Sequence, residues 1–198
     1  LSEASDGAGA PPEDRGADAQ RPWVVFGVIL GTGTGGGIVV DGRILPGPNG
    51  IAGEWGHNPL PWPSERERPG PSCYCGKHGC IETYLAGPSL ARDHERETGQ
   101  KLSTAAVVEA AAAGDERAEE TMRRYEDRLA RALASVLNVV DPDVVVLGGG
   151  VSNITRLYDN VPRVWGRYVF SDSVRTALVR ARHGDSSGVR GAAWLNPA

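Results

Sequence analysis

The sequence runs to 198 residues, with 27 Gly, 14 Pro and a formal net charge of −4. That length makes one large domain or one and a half small ones, and an acidic chain with no long basic run has neither the footprint of a nucleic-acid binder nor a polybasic membrane patch. No apolar stretch approaches the roughly 18 residues of a membrane-crossing helix, and residues 1–22 are polar and acidic, without the apolar centre of a secretory signal.

The chain opens on Leu1-Ser-Glu-Ala, text that suits the body of a helix, so upstream residues are expected to be missing. Gly, Ala, Pro and Asp dominate residues 4–22, and the whole of 1–22 reads as a flexible segment. Residues 23–30 (WVVFGVIL) suit a buried strand. Residues 31–37 (GTGTGGG) read as a turn, 38–40 resume a strand, Asp41-Gly42 makes a hairpin turn and 43–45 pair back. A strand, a glycine turn and a strand do not make a dinucleotide-binding unit, which needs a helix after the glycines. Residues 46–80 lack periodicity and are rich in Pro and Gly, and a loop that long in a compact domain needs a fastener or a function.

Residues 81–98 read as helical with a break at Gly87-Pro88. Ser103 or Thr104 caps an Ala-rich helix ending at Gly114. Asp115 caps the next helix, which reaches Val140 and carries Met122, Tyr125, Leu129, Leu133, Val136 and Leu137 at helical spacing, a core-facing stripe. Residues 144–147 form a continuous apolar run, hence a central parallel strand, followed by Gly148-Gly149-Gly150. A helix over 154–169, a strand over 174–179 and a short final helix over 188–195 complete the chain. Helices alternating with buried strands imply an α/β fold.

Three cysteines, Cys73, Cys75 and Cys80, fall within eight residues, which fits a metal cluster better than a disulfide framework. A structural Zn²⁺ takes four tetrahedral nitrogen or sulfur ligands. His57 and His78 compete for the fourth place, and the tight loop between Cys75 and Cys80 favours His57. His94 and His183 read as surface or hydrogen-bonding histidines. The glycine turn is either a backbone N–H cradle for phosphate oxygens, helped by the Thr32 and Thr34 hydroxyls, or a hairpin that merely needs φ > 0. Gly148, Gly149 and Gly150 have the same two readings, at the strand end where open α/β sheets place ligand crevices. Glu54 and Glu82 flank the cluster, as acceptors for substrate hydroxyls or as solvated acids.

Together these segments resemble the ROK family (repressor, open reading frame, kinase) of sugar kinases and sugar-responsive repressors. The matching text is Gly31-Thr-Gly-Thr-Gly-Gly-Gly37, Gly53-Glu-Trp-Gly-His57, Cys73-Tyr-Cys-Gly-Lys-His-Gly-Cys-Ile-Glu82 and Asp141-Pro-Asp-Val-Val-Val-Leu-Gly-Gly-Gly150. The specific part is the pairing of Glu-x-Gly-His with Cys-x-Cys-x4-Cys, and the resemblance covers the chain from residue 23 on. Ala181-Arg-His-Gly-Asp-Ser-Ser-Gly-Val-Arg-Gly-Ala-Ala-Trp-Leu195 looks like the fructokinase (mannokinase-like) branch, with N-acetylglucosamine kinases the nearest rivals.

The resemblance implies an α/β, actin-like ATPase (ribonuclease H-like) fold of two lobes, this chain supplying the C-terminal lobe and part of the N-terminal one. Residues 23–198 would form that C-terminal domain, with a zinc-clamped sugar loop over 46–82. Zn²⁺ would sit on His57, Cys73, Cys75 and Cys80. Glu54, His57 and Glu82 would meet sugar hydroxyls, His57 using both ring nitrogens. Gly31, Thr32, Gly33, Thr34, Gly35, Gly36 and Gly37 would meet the phosphates of MgATP, and Gly148, Gly149 and Gly150 would lie near the adenosine. The implied protein is a cytoplasmic homodimer with no nucleic-acid or membrane partner. It would phosphorylate a hexose, fructose first, at the C6 hydroxyl; an N-acetylglucosamine or glucose kinase and a sugar-binding repressor are the alternatives. Family kinases also carry an Asp-x-Gly-Gly-Thr phosphate motif and an Asn-Asp pair whose Asp is the base, just before a Leu-Ser-Glu-Ala-like helix. Neither motif is in this sequence, so no residue here takes the role of base and the chain alone is expected to turn over little.

Overall fold

The structure, a computed structural model, describes residues 23–185. The flexible reading of 1–22 and the final helix over 188–195 lie outside those residues. In the first strand, β1 (Val24–Leu30), Phe26, Val28 and Leu30 are buried on one face and Val25 on the other, the mark of a central strand covered on both sides. It pairs antiparallel with β2 (Thr34–Val40) and parallel with β4 (Val144–Gly148). Asp41 and Gly42, at φ 49° and 71°, turn β2 into β3 (Arg43–Ile44), the two-residue hairpin that matches strand twist. β5 (Ala177–Arg180) adds parallel to β4, giving the order β3-β2-β1-β4-β5.

One expectation is corrected here. The glycine turn covers only residues 31–33; Thr34, Gly35, Gly36 and Gly37 are the first half of β2, in register with β1 through Gly35↔Ile29 and Gly37↔Gly27. A strand needs no side chains to form its ladder, and the bare surface left by these glycines is occupied by another part of the chain.

The helices are α1 (Glu82–Leu85), α2 (Gly87–Thr98), α3 (Thr104–Ala112), α4 (Glu116–Val140) and α5 (Arg156–Trp165). The break between α1 and α2 falls at Ala86, extended at ψ 148°, one residue before the Gly87-Pro88 pair. Pro88 lies in the first turn of α2, where a missing N–H breaks no helical bond. Ser103 Oγ accepts from the N–H of Ala106 (3.2 Å) and Asp115 Oδ1 from that of Ala118 (2.8 Å), fixing the starts of α3 and α4. Met122, Tyr125, Leu129, Leu133 and Leu137 of α4 are buried with Phe26, Val28, Leu30, Val145 and Leu147 of the sheet, and Val136 packs at their edge. The helix expected over 154–169 is shorter at both ends, and the last strand starts at Ala177 rather than 174. Among the described residues no helix is long and apolar enough to cross a membrane.

Between β3 and α1 the chain holds only a short 3₁₀ turn at Glu65–Glu67. Glu67 fastens this loop to α4. Its carboxylate accepts from Arg128 (2.8 Å) and from both terminal nitrogens of Arg131 (2.9 and 3.0 Å). All three side chains are at most 9% exposed. Arg128 also pairs with Asp93 of α2 (2.9 Å), and the Tyr84 hydroxyl donates to the Glu67 carbonyl (2.7 Å). Burial works to raise the Glu67 carboxyl; the hydrogen bonds from Arg131 and Arg128 overcome it and hold the group at about 2.

The folded value lies below the ordinary 4.5. The stability that Glu67 contributes is therefore fully present above pH 4.5 and is lost as pH falls through that value toward 2. Glu67→Ala leaves two buried guanidinium groups short of their partner and should cost about 3–5 kcal/mol near neutral pH. In urea titrations the gap between Glu67→Gln and wild type should narrow as pH falls from 4.5 toward 2; a gap independent of pH over that range contradicts the clamp.

Candidate functional site

The segment Gly53-Glu-Trp-Gly-His57 lies on the glycine half of β2, main chain against main chain. A Cβ on Gly53, itself at φ +95°, would stand 2.7 Å from Gly37 Cα, and one on Gly36 would stand 2.9 Å from the Gly53 carbonyl oxygen. Neither position has room for a side chain. Trp55 pins the contact: Nε1 donates to the Gly35 carbonyl (2.9 Å), and the buried ring meets Phe26 edge to face at 5.5 Å. His57 is thereby delivered to the cysteines. Those sit on a tight turn in which the Cys73 N–H donates to the Lys77 carbonyl (2.8 Å) and the Gly76 N–H to the Cys73 carbonyl (3.0 Å).

The ligand atoms of His57, Cys73, Cys75 and Cys80 all lie within 4.8 Å of one another, and the three thiols are free. His57 Nδ1 is 3.5 Å from Cys73 Sγ, and Cys75 Sγ is 3.6 Å from Cys80 Sγ. Tetrahedral zinc, with Zn–S of about 2.3 Å and Zn–N of about 2.05 Å, spaces its donors about 3.5 Å (N···S) and about 3.8 Å (S···S) apart. The donor set and its spacing fit one zinc ion. The N–H of Lys77 holds the Cys75 thiol down at about 7, while burial and the neighbouring thiols push Cys80 up to about 12. A cation among the sulfurs is what would let all three ionise this close together. His78 is exposed on the bridge to Ser72, so it is His57 that the fold brings to the sulfurs. His94 is a hydrogen-bonding histidine but a core one, fully buried with Nδ1 3.0 Å from Thr121 Oγ1.

Glu82 opens α1 two residues after the last cysteine. Its Oε2 accepts from the N–H of Thr34 (2.8 Å), and its own N–H donates to the Gly56 carbonyl (2.8 Å). Glu54 is exposed, and its carboxylate has no hydrogen-bond partner among the described residues. Tyr74, not singled out in the sequence, places its hydroxyl 2.8 Å from His57 Nε2 with the two rings edge to face at 4.9 Å. That hydroxyl is pushed above the usual phenol range, first by water lost around the oxygen and then by the charges of Glu82, Cys73 and Glu54. The signal in the sequence was an aromatic residue between two cysteines.

A cleft of ≈ 790 Å³ opens beyond the carboxyl ends of β1 and β4, the usual ligand position in such sheets. Gly31, Thr32 and Gly150 line it, with Gly87 at the start of α2 and Thr104 at the start of α3. The structure thus joins the two glycine segments in one cleft, but not all of their residues. Gly33 and Thr34 turn toward Glu82, and Gly35, Gly36 and Gly37 lie under the 53–57 loop. Gly148 and Gly149 pack against β1: a Cβ on Gly149, at φ +80°, would fall 2.5 Å from the Leu30 carbonyl oxygen. Six of the glycines are thus accounted for by close packing or by strand pairing.

The ROK family pattern matches residues 9–198. The chain belongs to the ROK family. It is 39% identical over 176 residues to an N-acetyl-D-glucosamine kinase of Vibrio vulnificus and 41% identical over 176 residues to that of Photobacterium profundum, in each case covering 87% of this chain and 58% of the relative. The chain thus spans about three-fifths of the length of the curated relatives it matches. Among solved structures, the ROK hexokinase of Thermus thermophilus matches with a TM-score of 0.75 at 34% identity, over 90% of this chain and 58% of that one. A Streptomyces griseus ROK glucokinase in complex with glucose and AMPPNP matches with a TM-score of 0.75 at 29% identity, over 88% and 60%. The mixed α/β sheet is that of the actin-like ATPase fold of these ROK kinases. Neither curated relative is a fructokinase, and most of the 181–195 run that suggested one lies outside the described residues.

Zinc-loaded protein should contain about one zinc ion per chain. Cys80→Ser should lose it and His78→Ala should keep it, as read by atomic absorption on the purified proteins. Retention in His57→Ala with loss in His78→Ala would assign the fourth ligand the other way.

Proposed function

We propose that the protein containing this chain is a zinc-containing sugar kinase that transfers the γ-phosphoryl group of MgATP to the C6 hydroxyl of N-acetylglucosamine. The observation that carries the reading is that one short glycine turn links the two parts: Gly31 and Thr32 line the cleft at the ends of β1 and β4, and Thr34, just past the turn, is bonded to Glu82, two residues after the last cysteine of the four-donor cluster. The choice of sugar rests on the 39% and 41% identical N-acetyl-D-glucosamine kinases. Glucose is the second reading, from the 34% identical hexokinase and the 29% identical glucokinase.

Phosphoryl transfer depends on positioning and on stabilising charge, with little covalent work for the protein. Glu54 and the unbonded oxygen of Glu82 accept hydrogen bonds from sugar hydroxyls. The N–H and hydroxyl of Thr32 face the phosphates, in the positive field at the N-terminus of α2. Gly150 lies on the adenosine side. Zinc on His57, Cys73, Cys75 and Cys80 stiffens the sugar loop rather than touching the phosphate. A cytoplasmic homodimer belongs to the same proposal, from the family resemblance.

A coupled assay of the full-length protein on N-acetylglucosamine, glucose, mannose and fructose tests this reading. The highest kcat/KM should be on N-acetylglucosamine. Preference for fructose would restore the fructokinase reading, and no turnover on any hexose would end the kinase one. Glu54→Gln should lower kcat/KM by about 10- to 100-fold, the worth of a hydrogen bond to a charged group, with zinc content unchanged.

A further inference from the structure

The cleft beyond β1 and β4 has apolar walls: Ala105 and Val108 come from α3, Val151 and Ile154 from the segment after β4. Glu109 is the one charged side chain among the described residues that line it. It shares a face of α3 with Ala105, one helical turn back. The residue is exposed, and its carboxylate has no hydrogen-bond or ion-pair partner among the described residues. Two other polar side chains of the cleft are already engaged. The Asn153 amide is held between Arg180 and Asp185, and the Thr104 hydroxyl donates to the Gly87 carbonyl (2.7 Å). That last bond ties the start of α3 to the end of the cleft where Thr32 and the start of α2 lie. Glu109 stands further along α3 than Thr104 by about 7.5 Å, at a rise of about 1.5 Å per residue.

An ionised carboxylate accepts hydrogen bonds, donates none and repels phosphate. The ligand groups it can hold are therefore donors set away from the phosphates. In a nucleoside triphosphate the first such donors are the ribose hydroxyls, one sugar ring beyond the α-phosphate. Two carboxylate oxygens match two vicinal hydroxyls, and an acid meets the ribose in this way in other α/β nucleotide sites. We propose that Glu109 is a specificity-determining residue, whose carboxylate accepts from the ribose hydroxyls of the nucleotide and so selects a ribonucleotide over its 2′-deoxy analogue. This rests on the reading of the protein as an ATP-dependent kinase. The base then lies between the apolar walls, and the charge of Glu109 stays apart from the phosphates at Thr32.

The test uses the full-length protein as wild type, Glu109→Ala and Glu109→Gln. Glu109 is exposed on a helix, and alanine is the strongest helix former, so the first variant folds. Binding of MgATP, of its 2′-deoxy analogue and of inosine triphosphate is measured by calorimetry, and KM for each by the coupled assay. The wild type should bind MgATP about 10-fold more tightly than the deoxy analogue, the worth of a hydrogen bond to a charged group. In Glu109→Ala that ratio should fall to within about twofold, because MgATP binding weakens most. Glu109→Gln, which keeps one acceptor oxygen, should fall between the two. A ratio near one in the wild type, or one unchanged in Glu109→Ala, overturns the proposal. Tighter MgATP binding in Glu109→Ala also overturns it, showing that the carboxylate repels the phosphates. So does a loss of preference for ATP over inosine triphosphate with the deoxy ratio intact, which assigns Glu109 to the base. A wild type that binds no nucleotide removes the kinase reading and this inference together; one that phosphorylates a hexose with an indifferent Glu109→Ala removes this inference alone.

Discussion

The contact on which the site depends is the one between two stretches of bare main chain, the 53–57 segment and the glycine half of β2. Gly36 and Gly53 approach so closely that a single methyl group on either would meet backbone atoms under 3 Å away. Backbone cannot yield as a side chain can, so this contact sets the height of the loop above the sheet. It thereby sets the position of His57, the reach of His57 to the three sulfurs and the place of Glu82. The bond from Thr34 to Glu82 (2.8 Å) and the one from the Gly87 N–H to the Gly31 carbonyl (2.8 Å) then hold the glycine turn from both sides. The four-donor cluster and the rim of the cleft are thus tied through the same turn.

A loop with so little regular structure loses conformational entropy over every residue it orders, at about 1–2 kcal/mol each for the backbone alone. Few of its main-chain groups join a ladder that would offset this. The chain instead fastens the loop at separated points: the seat on β2, the four-donor cluster and Glu67 between Arg128 and Arg131. Trp62 adds a stack on Tyr168, with ring centroids 5.5 Å apart. Fixing a loop at several points shortens the free segments between them, which limits how far any one part can stray.

The framework was legible where side chains announce it. The stripe of α4 showed helical period, Asp115 and Ser103 marked helix starts, Asp41-Gly42 marked the hairpin, and the unbroken apolar run at 144–147 marked the central strand. The cysteine spacing announced the cluster. Thr34, Gly35, Gly36 and Gly37 could not be read as strand, because period two is carried by side chains and glycine has none. The Glu67 clamp joins partners 61 and 64 residues apart, which no local pattern records. Tyr74 stood out only as an aromatic residue between two cysteines; its partner, His57, lies 17 residues away on a different turn, so the contact itself was not legible.

The seat on β2 also divides the loop by how freely it can change. Main-chain atoms, with Trp55, make the docking contact, whereas Glu54, Asn58 and Tyr74 point outward and carry none of it. Along 53–57 the two kinds alternate almost residue by residue: Gly53 fixed, Glu54 open, Trp55 fixed. A substitution at an open position leaves the docking contact as it was. The outward face of the loop can therefore drift over generations at little cost in stability, while the glycines beneath admit no such experiment.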